Sequence, residues 1–385
     1  MELRRILLPL AVSLCLLAPF VANAQGQPTG AATSTPDTVV TEKAEVTAVS
    51  SSQSETIPGT GTASETQTLT AYILSGPDKG ESVTFSNDYI QLNVGNVFYA
   101  THTTNSTDGT DYWTVANPDR LNVLIALAAI FLFLIIVFGG LQGLRGLASL
   151  LGSFLLIFLV LVPGILHGYS PIIVSIGVSG LIILIGSYVT HGFNRTTSAA
   201  VLGMIATVLI TGALAFYFVH AAQLSGFATE EEVYLNFDTN GTIDMVGLLF
   251  GGIMIGLLGV LYDIAIGQAI AVEELFRAGV QMTRLQVYAR AIRIGREHIG
   301  ALVNTLAIAY VGSALPLILL AQESSTNGFL YSINSEIFAT EIVRILIGSI
   351  GLILAVPVTT LIASYMLHGY VQAGASAHEG HSHSH

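Results

Sequence analysis

The sequence predicts an α-helical integral membrane protein of about seven transmembrane helices, with a small extracytoplasmic all-β domain for which an OB-like barrel fits. Three observations predict it. Of 385 residues, 52% are apolar and only 10% charged, where soluble domains average about 25% charged residues. Apolar runs recur, each near the ~20 residues a bilayer needs. The charges are segregated, with arginines in some loops and acids in the others. This composition excludes a disordered chain, a nucleic-acid-binding protein and an ordinary soluble enzyme.

Met1-Glu2-Leu3-Arg4-Arg5 is a basic n-region, residues 6–21 are apolar, and Ala22-Asn23-Ala24 fits a cleavage site. Residues 1–24 therefore read as a secretory signal peptide. The one cysteine, Cys15, lies inside it, so disulfides and cysteine catalysis are not expected in the mature chain. Residues 25–67 are rich in Ser, Thr, Gly, Pro and Glu and read as a flexible extracytoplasmic tether. Val39-Val40 and Val46 to Val49 suffice there for one isolated strand. Residues 68–117 read as the β-domain, because short β-branched and aromatic runs alternate with Gly/Asn/Asp turns. Its four or five strands are expected at 69–74, 82–85, 89–92, 97–100 and 112–115.

Residues 118–370 form the membrane domain. Its spans are expected at 121–141, 147–166, 171–189, 198–221, 245–271, 299–321 and 342–368. Pro163, Pro316 and Pro357 should kink spans two, six and seven. Arg145, Arg195, Arg277, Arg284, Arg290, Arg293 and Arg296 all fall on one side, which the positive-inside rule makes cytoplasmic. Glu230-Glu231-Glu232, Asp238, Asp244, Glu323 and Glu336 fall on the other. The export signal predicts the same arrangement, with the N-terminal domain outside and the C-terminus inside a prokaryotic cytoplasmic membrane. The net charge of -12 thus averages a two-sided protein.

Several segments resemble the YibE/F family of polytopic membrane proteins. They are Gly139-Gly140-Leu141-Gln142-Gly143-Leu144-Arg145-Gly146, and His191-Gly192-Phe193-Asn194-Arg195-Thr196-Thr197-Ser198-Ala199-Ala200. A third is Gly256-Leu257-Leu258-Gly259-Val260-Leu261-Tyr262-Asp263. The most specific is Gly295-Arg296-Glu297-His298-Ile299-Gly300-Ala301-Leu302-Val303-Asn304-Thr305-Leu306-Ala307-Ile308-Ala309-Tyr310. The similarity is read over roughly residues 69–367. It implies a multi-span membrane protein with an extracytoplasmic β-domain, and an expectation of permease-type activity.

Asp263 stands out, because a carboxylate inside a span costs about 2.5–3.5 kcal/mol and usually faces the bundle interior or water. At about 100° per residue, Gly252, Gly256, Gly259, Asp263, Gly267 and Glu274 share one helix stripe. The glycines suggest a helix-packing groove; the acids suggest an ion or substrate pathway. Asn304, Thr305 and Tyr310 in span six lie at comparable depth and could serve Asp263 or a ligand. Arg344, with Glu341 one turn earlier, reads as an i,i+3 ion pair. Arg277, Arg284, Arg290, Arg293 and Arg296, on a segment predicted helical over 272–297, suit anionic lipid headgroups. Glu273, Glu274 and Glu297 dilute that charge, so nucleic acid is not expected.

The tail, residues 371–385, carries His378, His381, His383 and His385, a weak metal-binding pattern. No phosphate loop, HExxH or GxSxG occurs, and no nucleophile–base or metal pair appears. Neither an enzyme nor a bound cofactor is expected. The leading expectation is a permease for an ion or small solute. The alternative is a non-transporting scaffold that presents its β-domain to a cell-envelope partner. A homo-oligomer is compatible with both.

Overall fold

The computed structural model describes residues 38–56, 63–106, 108–278, 282–323 and 328–368. The expected signal peptide and the His-rich tail, with His378, His381, His383 and His385, lie outside the described residues. The rest divides into two compact units, one ending at Phe138 and the other beginning at Gly139.

The first unit is built on five strands: β1 (Thr38–Thr56), β2 (Ala63–Ile73), β3 (Ser82–Asn87), β4 (Val97–Thr104) and β5 (Asp111–Pro118). Their order is β3-β2-β1-β4-β5, antiparallel throughout. The edge strands β3 and β5 approach without pairing, so the sheet curls into a half-barrel. Its interior holds Ala44, Val46, Leu69, Ala71, Ile73, Phe98 and Val115, every second residue of each strand as the pleat requires.

Two expectations are corrected here. Residues 38–56, read as part of a tether, form the central strand. Their sequence is polar, but β1 is paired on both edges and needs only its alternate residues buried. Bulges between Val46 and Ala48 and between Val49 and Ser51 bend it around the core. Conversely, residues 89–92 are not a strand. Leu92 still enters the core, because the Gln67 side chain takes the place of a neighbouring strand. Gln67 Nε2 donates to the Leu92 carbonyl at 3.2 Å, and the Leu92 N–H donates to Gln67 Oε1 at 2.8 Å.

Glu42 sits at an inward position of β1 and is 1% exposed. Its Oε1 accepts the Asp78 N–H at 3.1 Å, fastening the β2–β3 turn. Gly76 in that turn has φ +92, and a Cβ there would lie 2.2 Å from Glu42 Oε1. Only glycine satisfies both constraints.

The helical elements follow: α1 (Leu121–Leu156), a π-helical turn (Ile157–Leu161), α2 (Val162–Leu166), α3 (Pro171–His191) and α4 (Arg195–Ala221). Then come α5 (Glu230–Asp238), α6 (Met245–Ala278), α7 (Arg284–Ser313), α8 (Leu315–Glu323), α9 (Phe329–Asn334) and α10 (Glu336–Leu367). Within the second unit α10 packs on α4, α6 and α7, while α3 and α4 pack on α6.

Seven spans are expected; by length and composition the described residues hold five helices long and apolar enough to cross a membrane, or six if a bent pair counts as one. The first two expected spans fall within the 46-residue stretch Leu121–Leu166, which a break near Gly140 divides. Its backbone leaves helical geometry at Gly140 (φ 53, ψ -140). The bent pair is Arg284–Ser313 with Leu315–Gln322, at 63°. Pro316 stands at this bend, where its missing N–H and its ring prevent α7 from continuing. Pro163 follows the π-helical turn, and Pro357 is carried inside the unbroken α10.

The segment over 272–297 is not one helix. α6 ends at Ala278, and Thr283 caps the start of α7 by accepting the Gln286 N–H, while Gln286 accepts the Thr283 N–H. Four of the arginines therefore begin the same helix that carries Asn304 and Tyr310.

Glycines set several helix contacts, and most of them are not the ones expected. A Cβ on Gly203 (α4) would lie 2.9 Å from the Thr359 Cα of α10. One on Gly295 (α7) would meet Val356 and Gln268, and one on Gly251 (α6) would meet Ser175 of α3. By contrast, nothing lies within 4 Å of a Cβ on Gly252, Gly259 or Gly267. Of the expected packing groove, Gly252, Gly259 and Gly267 are thus open within the chain, while Gly256 lies under Tyr310 of α7. Periodicity placed these glycines on one stripe correctly, but the stripe that meets α3 is turned by one residue, about 100°.

Candidate functional site

The open stripe of α6 is where the intramembrane candidates lie. Gly252, Gly256, Gly259, Asp263, Gly267 and Glu274 are all exposed on it. Asp263 is the nineteenth of the 34 residues of α6. It makes no hydrogen bond or ion pair among the described residues.

α7 runs antiparallel beside this face. The Tyr310 hydroxyl lies over Gly256, 2.6 Å from where a Cβ would be. Counting seven residues down each helix from that contact sets Asp263 level with Val303, next to Asn304. The expected similarity of depth therefore holds. The side chains do not join, however: Thr305 donates its hydroxyl to the Ala301 carbonyl of its own helix at 2.9 Å. Asn304 and Thr305 are exposed, and neither they nor Tyr310 hydrogen-bonds Asp263. Glu274 is exposed at the end of α6, one residue from Glu273, which holds the contacts there.

Two cavities border the glycine stripe. One, about 490 Å³, lies toward the Met245 end and is lined by Ser175, Glu232, Gly252, Gly256 and Arg344. Arg344 is paired with Glu341, as expected for an i,i+3 pair. The Ser175 hydroxyl is buried without a partner among the described residues. The second, about 370 Å³, is lined by Ser149, Ser153, Thr190, Gly259 and Tyr262. Tyr262 donates to the Gly186 carbonyl at 3.2 Å, which ties α6 to α3. Ile255 borders both cavities.

A third cavity, about 350 Å³, lies toward the Ala278 end, lined by His191, Asn194, Arg195, Thr196, Glu273 and Arg277. Asn194 caps α4 by accepting the Thr197 N–H at 2.7 Å. Glu273 Oε2 accepts the Thr196 hydroxyl, and Glu273 Oε1 accepts from Arg277. The other arginines of that region are dispersed. Arg284 lies over the Tyr365 ring at 5.2 Å, and Arg290, Arg293 and Arg296 are exposed on α7. Among the described residues no group of three or more His, Cys, Asp or Glu is arranged to hold a metal ion.

Sequence reasoning missed this third cavity. Its signal was the segment His191 to Thr197, noted for its resemblance and, at Arg195, for its charge. Its other wall includes Glu273, 77 residues beyond Thr196, so only the fold brings the two together.

An apolar helical bundle with several helices long enough to cross a membrane, preceded in the chain by an antiparallel half-barrel, suggests a membrane protein. The sequence pattern of YibE/F-like proteins matches residues 127–369, and the chain belongs to that family. The match begins at residue 127, so it leaves out the half-barrel that the resemblance was read as covering from residue 69. No curated protein and no solved structure matches the chain. Family membership and the apolar helices together point to a membrane protein.

Proposed function

We propose that the protein is a permease-type transporter of an ion or small solute, with Asp263 as its intramembrane polar site. The observation that carries this reading is an unbonded carboxylate midway along an apolar helix, on a glycine face bordered by two cavities that share Ile255 as a wall. Facing hydrocarbon, it would cost about 2.5–3.5 kcal/mol on insertion scales. Water or a polar cargo on this face removes that cost. Asn304, Thr305 and Tyr310 on α7 supply neighbouring polar groups, and Glu274 continues the path at the end of α6.

In this reading the 46-residue run crosses twice, turning near Gly140. At 1.5 Å per residue it is about 69 Å long, against a hydrocarbon core of about 30 Å. The half-barrel, read as OB-like, lies outside after export by the signal peptide. Arg277, Arg284, Arg290, Arg293 and Arg296 lie inside against anionic headgroups of a prokaryotic cytoplasmic membrane. A homo-oligomer would cover the exposed faces.

The test is flux across proteoliposomes for common cations and small anions, with wild type and Asp263→Asn at matched abundance. Transport that falls at least about tenfold in the variant supports the reading. Undiminished flux in Asp263→Asn removes Asp263 from the path, and no flux for any solute defeats the permease reading. The scaffold alternative draws on Tyr72, Tyr89, Tyr99 and Tyr112, which are exposed on the half-barrel unit in the manner of residues enriched at interfaces. It requires a specific envelope partner captured by the wild-type chain and lost when these tyrosines are changed to serine.

A further inference from the structure

The geometry points to a binding site for a phosphate group, mono- or diester, in the cavity between the start of α4 and the end of α6. Two guanidinium groups from separate elements, Arg195 and Arg277, border one space of about 350 Å³, with His191, Asn194 and Thr196 beside them. Planar guanidinium forks match phosphate oxygens better than any other side chain.

The carboxylate in the lining does not argue for a cation. Glu273 spends one oxygen on the Thr196 hydroxyl and the other on Arg277 Nη2. It braces α4 against α6 through Thr196, and its contact with Arg277 leaves Arg277 further donors. The lining holds two arginines and one glutamate, with His191 beside them. Guanidinium groups in the lining suit a phosphate better than a metal ion.

The remaining wall is apolar, formed by Ile266, Ala269 and Ile270 of α6. Such a wall suits a phosphate that carries a hydrocarbon tail, so a lipid headgroup and a free phosphate are the two sources of the same chemistry. The site is separate from Asp263 and does not depend on transport.

The experiment uses the full chain in phosphatidylcholine nanodiscs. Inorganic phosphate is titrated in one arm, and phosphatidylglycerol is added to the discs in the other, with bound ligand counted by native mass spectrometry. Saturable inorganic phosphate assigns the free anion. Selective retention of phosphatidylglycerol over phosphatidylcholine, with inorganic phosphate silent, assigns the headgroup. In either case Arg195→Gln and Arg277→Gln should each weaken binding at least about tenfold. Glu273→Gln keeps an acceptor oxygen for Thr196 while removing the negative charge, and it should tighten binding. This opposite sign separates ligand recognition from loss of structure. Binding of neither ligand overturns the proposal, as does binding that both arginine variants leave unchanged, or an equal loss in Glu273→Gln.

Discussion

Replacing Gly203 by alanine tests whether the α4–α10 seam is held by backbone proximity. The added Cβ would lie 2.4 Å from Thr359 Oγ1, 2.8 Å from its Cβ and 2.9 Å from its Cα. Carbon pairs rest at about 3.5–4.0 Å. Rotating Thr359 moves the hydroxyl but not Cα or Cβ, so the helices must part by roughly 0.7–1 Å to restore contact distance. Overpacking of this kind costs about 1–3 kcal/mol, and a backbone obstacle places this case near the top of that range. Alanine returns about 0.5–1 kcal/mol through lower helix entropy cost, so a net loss of about 2 kcal/mol is expected. Gly267→Ala is the counterpart, since nothing lies within 4 Å of its Cβ. It should be neutral or gain about 0.5–1 kcal/mol. Thermal melting of the purified protein in detergent reads both. Gly203→Ala should melt roughly 4–8 °C below wild type, and Gly267→Ala at or above it. A Gly203→Ala protein as stable as wild type would refute the seam. A Gly267→Ala protein equally destabilised would show that the α6 stripe is covered after all.

Glu336 begins α10, and its Oε1 accepts from the Ser225 N–H (2.7 Å), the Ser225 hydroxyl (2.6 Å) and the Gly226 N–H (2.9 Å). Glu336→Ala should destabilise by about 1–2 kcal/mol, with Glu336→Gln intermediate; faster protease cleavage near Ser225 would register the released loop. In the half-barrel unit, Lys43 Nζ meets Asp119 Oδ2 at 2.6 Å. The Lys43 hydrogen bond, then the Leu121 N–H, holds the Asp119 carboxyl below the usual carboxylate range, and Asp119 raises the Lys43 ammonium above its ordinary value. The acid's contribution is present above about pH 4 and is lost as pH falls through its lower folded value. The lysine's is present below about pH 10 and is lost as pH rises through its higher folded value. Asp119→Asn should remove the acid-side loss. The single tryptophan, Trp113, reports melting of this unit in the full chain, and identical acid-side curves for wild type and variant would contradict the assignment.

Hydrophobic runs made the long helices legible, because a span needs only composition and length. Pro316 made the bend at the end of α7 legible, because its missing N–H and its ring disfavour continuing the preceding helix through it; Pro357, inside α10, shows the same residue type carried without a break. The strands β2 to β5 were legible where apolar and polar residues alternate. β1 was legible only as an isolated strand around Val39-Val40 and Val46 to Val49; its full length and central place rest on hydrogen bonds to β2 and β4, partners that local composition does not encode. Nor could the chain reveal that Gln67 would stand in for a strand against Leu92.

By itself the sequence determined which residues share a face: helical periodicity is local, and it set Gly252, Gly256, Gly259 and Asp263 on one stripe of α6. Whether that stripe met a neighbour was decided by tertiary structure alone. The close approaches of Gly251 to α3 and of Gly295 to Gln268 orient α6, leaving Asp263 open and unbonded. The same holds for the arginine-lined cavity. His191 to Thr197 was visible as a motif, but Glu273 and Arg277 reach it only when α4 and α6 pack. Periodicity depends on covalent geometry and can be read locally; the direction a face takes depends on contacts that only the folded chain creates.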